Sequence, residues 1–319
     1  MSRAEQVRPV TVRVPAKVNL QLSVGARRQD GYHDLVTVFH AVSVYDEVTA
    51  SPGDGGVSVS VEGEGSGRLP VDTGNLAVRA ARALAELAGV APDVRLHLRK
   101  DIPVAGGMAG GSADAAGTLV ACDALWGLHL DPAELADVAA GLGADVPFAL
   151  LGGTAVGVGT GARLTSALAR GRFHWVFALA DSGLATERVF AEYDRLAAGS
   201  FRPEPRVSDD VMAALRSGEA VQLGAALEND LEPAALSLRP QLRFTLEVGQ
   251  EFGALGAVVS GSGPTCAFLA RDGEHALDLA VALSAAGVCR TVRRADGPAA
   301  GARVVDTSML TPPLAPPQR

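Results

Sequence analysis

Aromatic residues and cysteines are scarce in this chain of 319 residues. Aromatic residues make up 4% of it against 48% hydrophobic residues, so alanine, valine, leucine and glycine must supply most of the core. The three cysteines, Cys122, Cys266 and Cys289, are odd in number and widely spaced, without a CxxC pair. The sequence therefore argues against a disulfide framework and against a zinc site, and predicts buried thiols in a reducing compartment.

A surplus of positive charge and a long apolar run are also lacking. Lysine and arginine total 28 against 36 acidic residues, which gives a formal net charge of -8 and leaves no basic stripe to bind nucleic acid or an anionic membrane. The first ten residues, MSRAEQVRPV, contain no apolar segment, and proline and glycine interrupt the longest uncharged run, VPFALLGGTAVGVGTGA. The sequence thus predicts neither secretion nor membrane spanning, and we expect a soluble cytoplasmic protein.

The order of the predicted elements favours an α+β fold in two lobes. The chain is longer than the roughly 100 to 200 residues of a usual domain, and its strands come in runs instead of alternating strictly with helices. Periodicity predicts strands at 10–14, 18–24, 57–61, 94–98, 174–180 and 288–294 and within 256–270. Helices are predicted over 75–89, 112–127 and 131–143 and near 185–198, 208–216, 219–229, 240–252 and 274–286, with GADVPFAL in a loop. A boundary near 160 separates predicted domains 1–160 and 161–306, and 307–319 is predicted to be a disordered tail.

A glycine-rich segment, PVAGGMAGGSADAA at 103–116, leads into a predicted helix. A helix start offers unpaired N–H groups and the positive end of the helix dipole, so it binds phosphate where side chains do not obstruct it. Glycines at 106, 107, 110 and 111 remove that obstruction, and Ser112 can cap the helix or contact a phosphate. Asp114, in the first turn, is expected to stabilise the helix dipole from a face turned away from the ligand. By itself, the segment is explained equally well as a linker or tight turn, because it contains neither a Walker A lysine nor GxGxxG.

Three further segments carry polar residues in specific places. In PAKVNLQLSV, strand periodicity puts Lys17, Asn19, Gln21 and Ser23 on one face, which is ordinarily just solvated. In GADVPF, Asp145 stands between glycine and proline, where an aspartate usually forms a turn. SGSGPTCAF at 260–268 is most simply a tight turn. Taken singly, each segment favours the structural explanation.

Together, PAKVNLQLSV, PVAGGMAGGSADAA, GADVPFAL and SGSGPT resemble the GHMP kinase superfamily over most of residues 10–305. DGYHDL and GADVPFAL resemble its branch that phosphorylates 4-diphosphocytidyl-2-C-methyl-D-erythritol, and NDLEPAAL resembles its second lobe. The chain departs from the pattern at Ala105 and Ala109, where many relatives have glycine, and at Ala113, where a second serine is common. The resemblance implies a two-lobed fold with the active site in the cleft between the lobes. It also implies transfer of the γ-phosphoryl group of ATP, with Mg²⁺, to the tertiary C2 hydroxyl of that small molecule in non-mevalonate isoprenoid precursor biosynthesis.

The resemblance also implies roles for single residues. Asp145 would be the general base, and Lys17 the cation that keeps it ionised and polarises the hydroxyl, with Asn19 contacting the substrate beside them. Tyr32 would stack on the cytosine, His33 would hydrogen-bond its edge, Phe190 would be the facing aromatic, and Thr186 would lie nearby. The ATP-binding loop would comprise Pro103, Val104, Ala105, Gly106, Gly107, Met108, Ala109, Gly110, Gly111, Ser112 and Ala113. Asn75 is a candidate contact for the adenine edge. No protein ligand for the metal is assigned, Ser112 being the nearest candidate.

Two alternatives remain open from the sequence. One is another kinase of the same superfamily that acts on homoserine, mevalonate or a sugar. The DGYHDL segment argues against this alternative. The other is a non-catalytic nucleotide-binding regulator, against which the presence of both Lys17 and Asp145 speaks. The sequence does not indicate whether the protein is a monomer or an oligomer.

Overall fold

Two β-sheets organise the chain in a computed structural model, which describes residues 8–199 and 201–305. The predicted tail at 307–319 lies outside the described residues. The strands are β1 (Val10–Arg27), β2 (His33–Pro52), β3 (Val57–Gly63), β4 (Val94–Lys100), β5 (Thr154–Gly159), β6 (Arg163–Ser166), β7 (Phe173–Leu179), β8 (Glu228–Asn229), β9 (Gly256–Val259), β10 (Cys266–Ala270), β11 (Thr291–Gly297) and β12 (Arg303–Val304). The helices are α1 (Leu76–Ala88), α2 (Gly110–Trp126), α3 (Pro132–Leu142), α4 (Val146–Leu151), α5 (Thr186–Leu196), α6 (Asp209–Ser217), α7 (Ala220–Ala226), α8 (Glu232–Leu238), α9 (Gln241–Glu251) and α10 (Gly273–Ala285).

The larger sheet is centred on a long antiparallel pair, β1 and β2. The prediction of separate strands at 10–14 and 18–24 is wrong, because the chain runs on through Pro15 as one strand. The pairing register shifts between Pro15 and Ala16, and such an irregularity accommodates a residue that has no N–H to donate. Strand β2 was not predicted, although it also pairs with β4 and β5. The pair β1 and β2 therefore forms the frame on which the candidate site residues are placed.

Helix α2 packs directly on this frame through a glycine. A Cβ added at Gly117 would lie 2.7 Å from Val48 Cγ2 and 2.8 Å from Val14 Cγ2. Real side-chain atoms do not approach so closely, so this position must stay glycine for the helix to keep its distance from β1 and β2. The N-terminal end of α2, which carries the glycine-rich loop, is consequently fixed relative to β1.

The smaller sheet has the order β11-β7-β10-β9 and contacts helices α7 to α10. Later parts of the chain also return to the larger sheet, since β8 pairs parallel to β1 and β12 pairs antiparallel to it. The predicted boundary near 160 falls in the turn between β5 and β6, which pair with each other in the larger sheet. The division into 1–160 and 161–306 stays a prediction.

Several element predictions need correction. The helix expected over 219–229 ends at Ala226, and residues 228–229 form β8 instead. Helix α8 and strands β5 and β6 were not predicted. Cys122 and Cys266 are buried free thiols as predicted, whereas Cys289 is half-buried. Among the described residues, no helix is long and apolar enough to cross a membrane.

Candidate active site

A cavity of about 1020 Å³ brings the sequence motifs together. Its walls are formed by β1, the loop before α2, the turn before α4, helix α5 and the turn at 261–263. These parts lie far apart in the sequence and belong to segments that pack on different sheets. The cleft predicted from the sequence is therefore present.

The loop before α2 presents an open helix start. Helix α2 begins at Gly110, two residues before the predicted start, and its N-cap is Ala109, whose φ is 63°. Of the two possible roles for Ser112, capping the helix is therefore excluded, and within the described chain no side chain caps it. A Cβ added at Gly111 would meet nothing within 4 Å, so the space beside Gly111 is unobstructed. This geometry fits an anionic group such as a phosphate.

Gly107 must be glycine for two reasons. Its φ is 76°, a conformation that L side chains rarely adopt, and an added Cβ would lie 2.0 Å from the carbonyl oxygen of Ser260. The Ser260 hydroxyl in turn donates to the Gly107 carbonyl oxygen at 3.1 Å. The loop before α2 and the SGSGPT turn are thus in direct backbone contact.

The predicted ATP-binding residues divide into three groups. Eight of them line the large cavity: Pro103, Ala105, Gly106, Gly107, Ala109, Gly110, Gly111 and Ser112. Val104 borders a second cavity of about 410 Å³, which shares Pro103, Ala105 and Gly106 with the first. Met108 and Ala113 are buried in the core, so any contact from these two to a ligand would have to come from backbone atoms.

Lys17 and Asp145 meet at one end of the large cavity. The ammonium nitrogen of Lys17 lies 3.6 Å from Asp145 Oδ2. Asp145 occupies the N-cap position of α4, so the prediction of a loop for GADVPFAL is wrong from Val146 onward. Within the described residues its carboxylate makes no capping hydrogen bond, and it therefore remains available to the cavity.

A chain of hydrogen bonds holds Lys17 in place. Its ammonium group donates to Asn19 Oδ1 at 2.7 Å, and Asn19 Nδ2 donates to the hydroxyl of Thr37 at 2.8 Å. Thr37 in turn donates to the carbonyl oxygen of Gln21 at 2.8 Å. The side chains of Lys17, Asn19 and Gln21 are buried and Ser23 is half-buried, so most of the polar face of β1 is not exposed on the surface. Thr37 lies on the unpredicted strand β2, and its part in this network could not be inferred from the sequence.

Aromatic rings gather at the other end of β1. Tyr32 lies in the turn between β1 and β2 and lines the cavity with 66% of its surface exposed. The ring of His33 stacks on Phe190, with centroids 5.1 Å apart and planes at 28°. His33 Nε2 lies 3.0 Å from Asp194 Oδ1, a partner that the sequence did not indicate. The structure therefore pairs Phe190 with His33, while Tyr32 presents an exposed ring beside them.

The side chains of two other predicted ligand-binding residues, Thr186 and Asn75, form hydrogen bonds within the protein. Thr186 lines the cavity, and its hydroxyl lies 3.0 Å from that of Ser262. Asn75 lines neither described cavity. Its Oδ1 accepts from the Ala77 amide, and its Nδ2 donates to the Pro70 carbonyl oxygen. Asn75 thus caps α1, and both polar atoms of its side chain are already in use.

Asp114 does not line the cavity, and it has a buried partner that the sequence did not indicate. Its Oδ2 accepts a hydrogen bond of 2.6 Å from Lys100 Nζ, which also donates to Asp46 Oδ2. All three side chains are buried, and burial raises the pKa of the Asp114 carboxyl to about 7, against the opposing charge of Lys100. Asp114 Oδ1 has no hydrogen-bond partner in the described part of the chain. Sequence reasoning missed this cluster, because β2, β4 and α2 each contribute one member.

No cluster of three or more histidine, cysteine, aspartate or glutamate residues within 8–199 and 201–305 could hold a metal ion. Ser112 lines the cavity beside the open helix start. A nucleotide-bound Mg²⁺ commonly keeps water and phosphate ligands, so these residues fit a metal that arrives with phosphate.

The open helix start and the pair of Lys17 and Asp145 face the same cavity, an arrangement that can bind and transfer a phosphoryl group. Residues 75–153 match the GHMP kinases N terminal domain, and residues 211–289 match the GHMP kinases C terminal domain. A homoserine kinase from Cytophaga hutchinsonii shares the fold, with a TM-score of 0.71 at 18% identity over 96% of this chain and 99% of that one. The predicted fold class is confirmed.

Closer similarity narrows the family. The 4-diphosphocytidyl-2-C-methyl-D-erythritol kinase of Streptomyces coelicolor is 60% identical over 93% of this chain and 99% of that protein. The enzyme of the same name from Mycolicibacterium smegmatis is 59% identical over 93% of this chain and 92% of that protein. A crystal structure of 4-(cytidine 5'-diphospho)-2C-methyl-D-erythritol kinase gives a TM-score of 0.73 at 34% identity, over 89% of this chain and 98% of that one. The chain therefore belongs to the GHMP kinase family, in the group of the 4-diphosphocytidyl-2-C-methyl-D-erythritol kinases.

Proposed function

We propose that this chain transfers the γ-phosphoryl group of ATP to the C2 hydroxyl of 4-diphosphocytidyl-2-C-methyl-D-erythritol. The observation that carries the proposal is that one cavity contains the Lys17 and Asp145 pair, the open start of α2 and the exposed ring of Tyr32. A substrate with a nucleobase at one end and an alcohol at the other suits this arrangement. The names of the relatives that match the chain almost completely support the same substrate.

Asp145 is the proposed general base. The hydroxyl oxygen forms a bond to the γ-phosphorus, the bond between that phosphorus and the bridging oxygen to the β-phosphate breaks, and the hydroxyl proton passes to Asp145. A tertiary alcohol is a poor nucleophile, and a positioned base contributes roughly 10² to 10⁴-fold. Lys17, whose ammonium nitrogen is 3.6 Å from the carboxylate, is proposed to polarise the hydroxyl. Asn19, which accepts a hydrogen bond from Lys17, is proposed to contact the substrate beside the reacting group.

The loop before α2 is the proposed phosphate site. GHMP kinases use ATP as the phosphoryl donor, generally with a divalent metal. We propose Mg²⁺ as that metal; the phosphates and, as the nearest protein group, the Ser112 hydroxyl would hold it, and it would neutralise charge on the transferring group. The amides at the start of α2 bind the phosphates and orient them toward Lys17. The proposed location is the cytoplasm, where ATP is available.

At the other end of the cavity, Tyr32 is proposed to stack on the cytosine and His33 to hydrogen-bond its edge. Stacking tolerates any base, so selectivity has to come from the edge contact. Asp194 and Phe190 fix the orientation of the His33 ring for that contact. Thr186, which lines the cavity from α5, is proposed to contact the substrate as well.

A coupled assay of ADP release tests the proposed reaction. We expect turnover with ATP and the cytidyl-erythritol substrate in the presence of Mg²⁺, and none without the metal. Homoserine, mevalonate and a sugar serve as competing acceptors in the same assay. Phosphorylation of one of these without phosphorylation of the cytidyl-erythritol would overturn the proposal, and so would nucleotide binding without any turnover.

The Asp145→Asn variant tests the base. Asparagine keeps the size of the side chain but cannot accept the proton, so we expect kcat to fall about 10² to 10⁴-fold while ATP still binds. Asp137→Asn, which changes an exposed aspartate on α3, is the matched control and should behave as the wild type. Unchanged kcat in Asp145→Asn would remove the assignment.

A further inference from the structure

The buried cluster of Lys100, Asp46 and Asp114 lies directly beneath the start of α2. Its three side chains are 1%, 0% and 4% exposed. Charges removed from water persist only when they are paired and hydrogen-bonded, so the positions of these groups are tightly determined. The proposed reaction uses none of them.

Lys100 also reaches the phosphate loop itself. Its ammonium group donates to the carbonyl oxygen of Gly110 at 3.1 Å, in addition to its bonds to the two carboxylates. A lysine ammonium has three N–H donors, and these three acceptors use all of them. Lys100 therefore has no donor left for a ligand, and any effect on the cavity must pass through the loop.

The bond to the Gly110 carbonyl fixes a neighbouring amide. The peptide group between Gly110 and Gly111 is planar and trans, so its C=O and N–H point in opposite directions. Because the carbonyl points at Lys100 in the interior, the N–H of Gly111 points away from it, and Gly111 lines the cavity. The N-cap residue, Ala109, has no polar side chain that could orient this helix start.

The same cluster also holds the strand end that precedes the loop. Asp46 Oδ1 accepts from the backbone amides of Asp101 at 2.7 Å and Ile102 at 2.9 Å. The end of β4, the beginning of the loop and the start of α2 are thus tied to β2 at a single point. The loop between them contains two residues with positive φ that are not glycine, Ala105 and Ala109, and it needs such an external anchor.

We propose that Lys100 is a positioning residue for the phosphate-binding loop. Held between Asp46 and Asp114, it fixes the Gly110 carbonyl and thereby directs the Gly111 amide at the phosphates of ATP. This inference rests on the proposed binding of ATP phosphates by the loop.

The test compares Lys100→Met with Arg99→Met as a matched control. Arg99 is the preceding residue of β4 and pairs with Glu47 on the exposed face of the sheet. Binding of a non-hydrolysable ATP analogue, adenylyl imidodiphosphate, is measured by calorimetry, and KM is measured for both substrates. We expect Lys100→Met to weaken the analogue at least tenfold and to raise KM for ATP similarly, with KM for the alcohol within twofold of the wild type. Arg99→Met should stay within twofold in all three.

A second variant guards against misfolding, because Lys100→Met leaves two carboxylates without their cation. The triple variant Asp46→Asn, Lys100→Met and Asp114→Asn contains no buried charge at this place but also lacks the bond to Gly110. We expect it to fold, as judged by its circular dichroism and a cooperative thermal transition, and to show the same loss of analogue binding. A folded triple variant that binds the analogue as tightly as the wild type would overturn the inference.

The two proposals fail differently in these measurements. If the wild type does not bind the analogue at all, the proposed function fails. If the wild type binds it and turns over while the Lys100 variants retain full affinity, only the positioning role fails. An equal rise of both KM values in Lys100→Met would also contradict that role, because it would indicate general damage to the cleft.

Discussion

His40 joins the two sheets, and its burial predicts a definite dependence of stability on pH. The residue lies on β2, and its ring packs edge-on against Phe173 at 5.7 Å and near Trp175 at 6.2 Å, both on β7. Its Nδ1 lies 2.8 Å from the hydroxyl of Thr154, while Nε2 has no hydrogen-bond partner of normal geometry among the described residues. A Cβ added at Gly297 would lie 2.2 Å from Nε2, so there is no room for water on that side.

The size of this loss of stability at low pH follows from the pKa of His40. Burial lowers the pKa of His40 from 6.5 to about 3. Between pH 6.5 and about 3, His40 therefore binds a proton in the unfolded chain but not in the folded chain. The free energy of unfolding consequently decreases as the pH falls from 6.5 towards 3. At pH 5 the loss is about 2 kcal/mol, or 1.5 pH units at about 1.36 kcal/mol each, while at pH 7.5 it is close to zero.

The assay is urea unfolding of the wild type and His40→Gln at pH 7.5 and pH 5. A comparison with a variant is needed, because Asp114 changes the stability of the wild type with pH in the direction opposite to His40. Its raised pKa contributes stability at low pH that is lost as the pH rises through about 7. Glutamine can still bond to Thr154 but does not titrate, so the cost of His40→Gln should be about 2 kcal/mol smaller at pH 5 than at pH 7.5.

The control is His97→Gln, which changes an exposed histidine on β4 and should alter the free energy of unfolding by less than about 0.5 kcal/mol at either pH. A cost of His40→Gln that is the same at both pH values would refute the reasoning. It would mean that His40 is reached by water or that the junction between the sheets opens before it titrates.

Two further predictions concern the ligand sites. Gly107→Ala places a methyl group 2.0 Å from the Ser260 carbonyl oxygen in a left-handed backbone conformation, so KM for ATP should rise at least tenfold in steady-state kinetics. Gly141→Ala, where an added Cβ meets nothing, is its control, and equal effects of the two substitutions would contradict the steric argument. Phe190→Leu removes the ring that orients His33, a stack worth about 0.5 to 1.5 kcal/mol, so KM for the cytidyl substrate should rise about twofold to tenfold. KM for ATP should not change in Phe190→Leu, and a parallel rise would count against a nucleobase site at this end of the cavity.

The glycine-rich loop before α2 and the pairing of Lys17 with Asp145 could be predicted from the sequence because their signals are local. Four glycines before a helical pattern restrict what the backbone can do, and the motif context selects the lysine and the aspartate. The cleft that joins them also follows from the resemblance. The distance of 3.6 Å between Lys17 Nζ and Asp145 Oδ2, however, can be obtained only from the folded structure.

The missed features depend on partners distant in sequence. Strand β2 carries His40 and Asp46, whose polarity interrupts an apolar pattern, and both are buried because Thr154 and Lys100 meet them there. The sequence suggested a helix-dipole role for Asp114 because its partner, Lys100, lies on β4 and could not be identified from the residues around Asp114. Periodicity detects which residues turn inward, but it does not identify the group that compensates a buried charge.

Strand β1 acquires its neighbours from three regions of the chain, namely β2, residues 228–229 and residues 303–304. A fragment that stopped at residue 160 would lack the last two, and unpaired strand edges invite association with other chains. Attempts to express the first half by itself should therefore yield insoluble material.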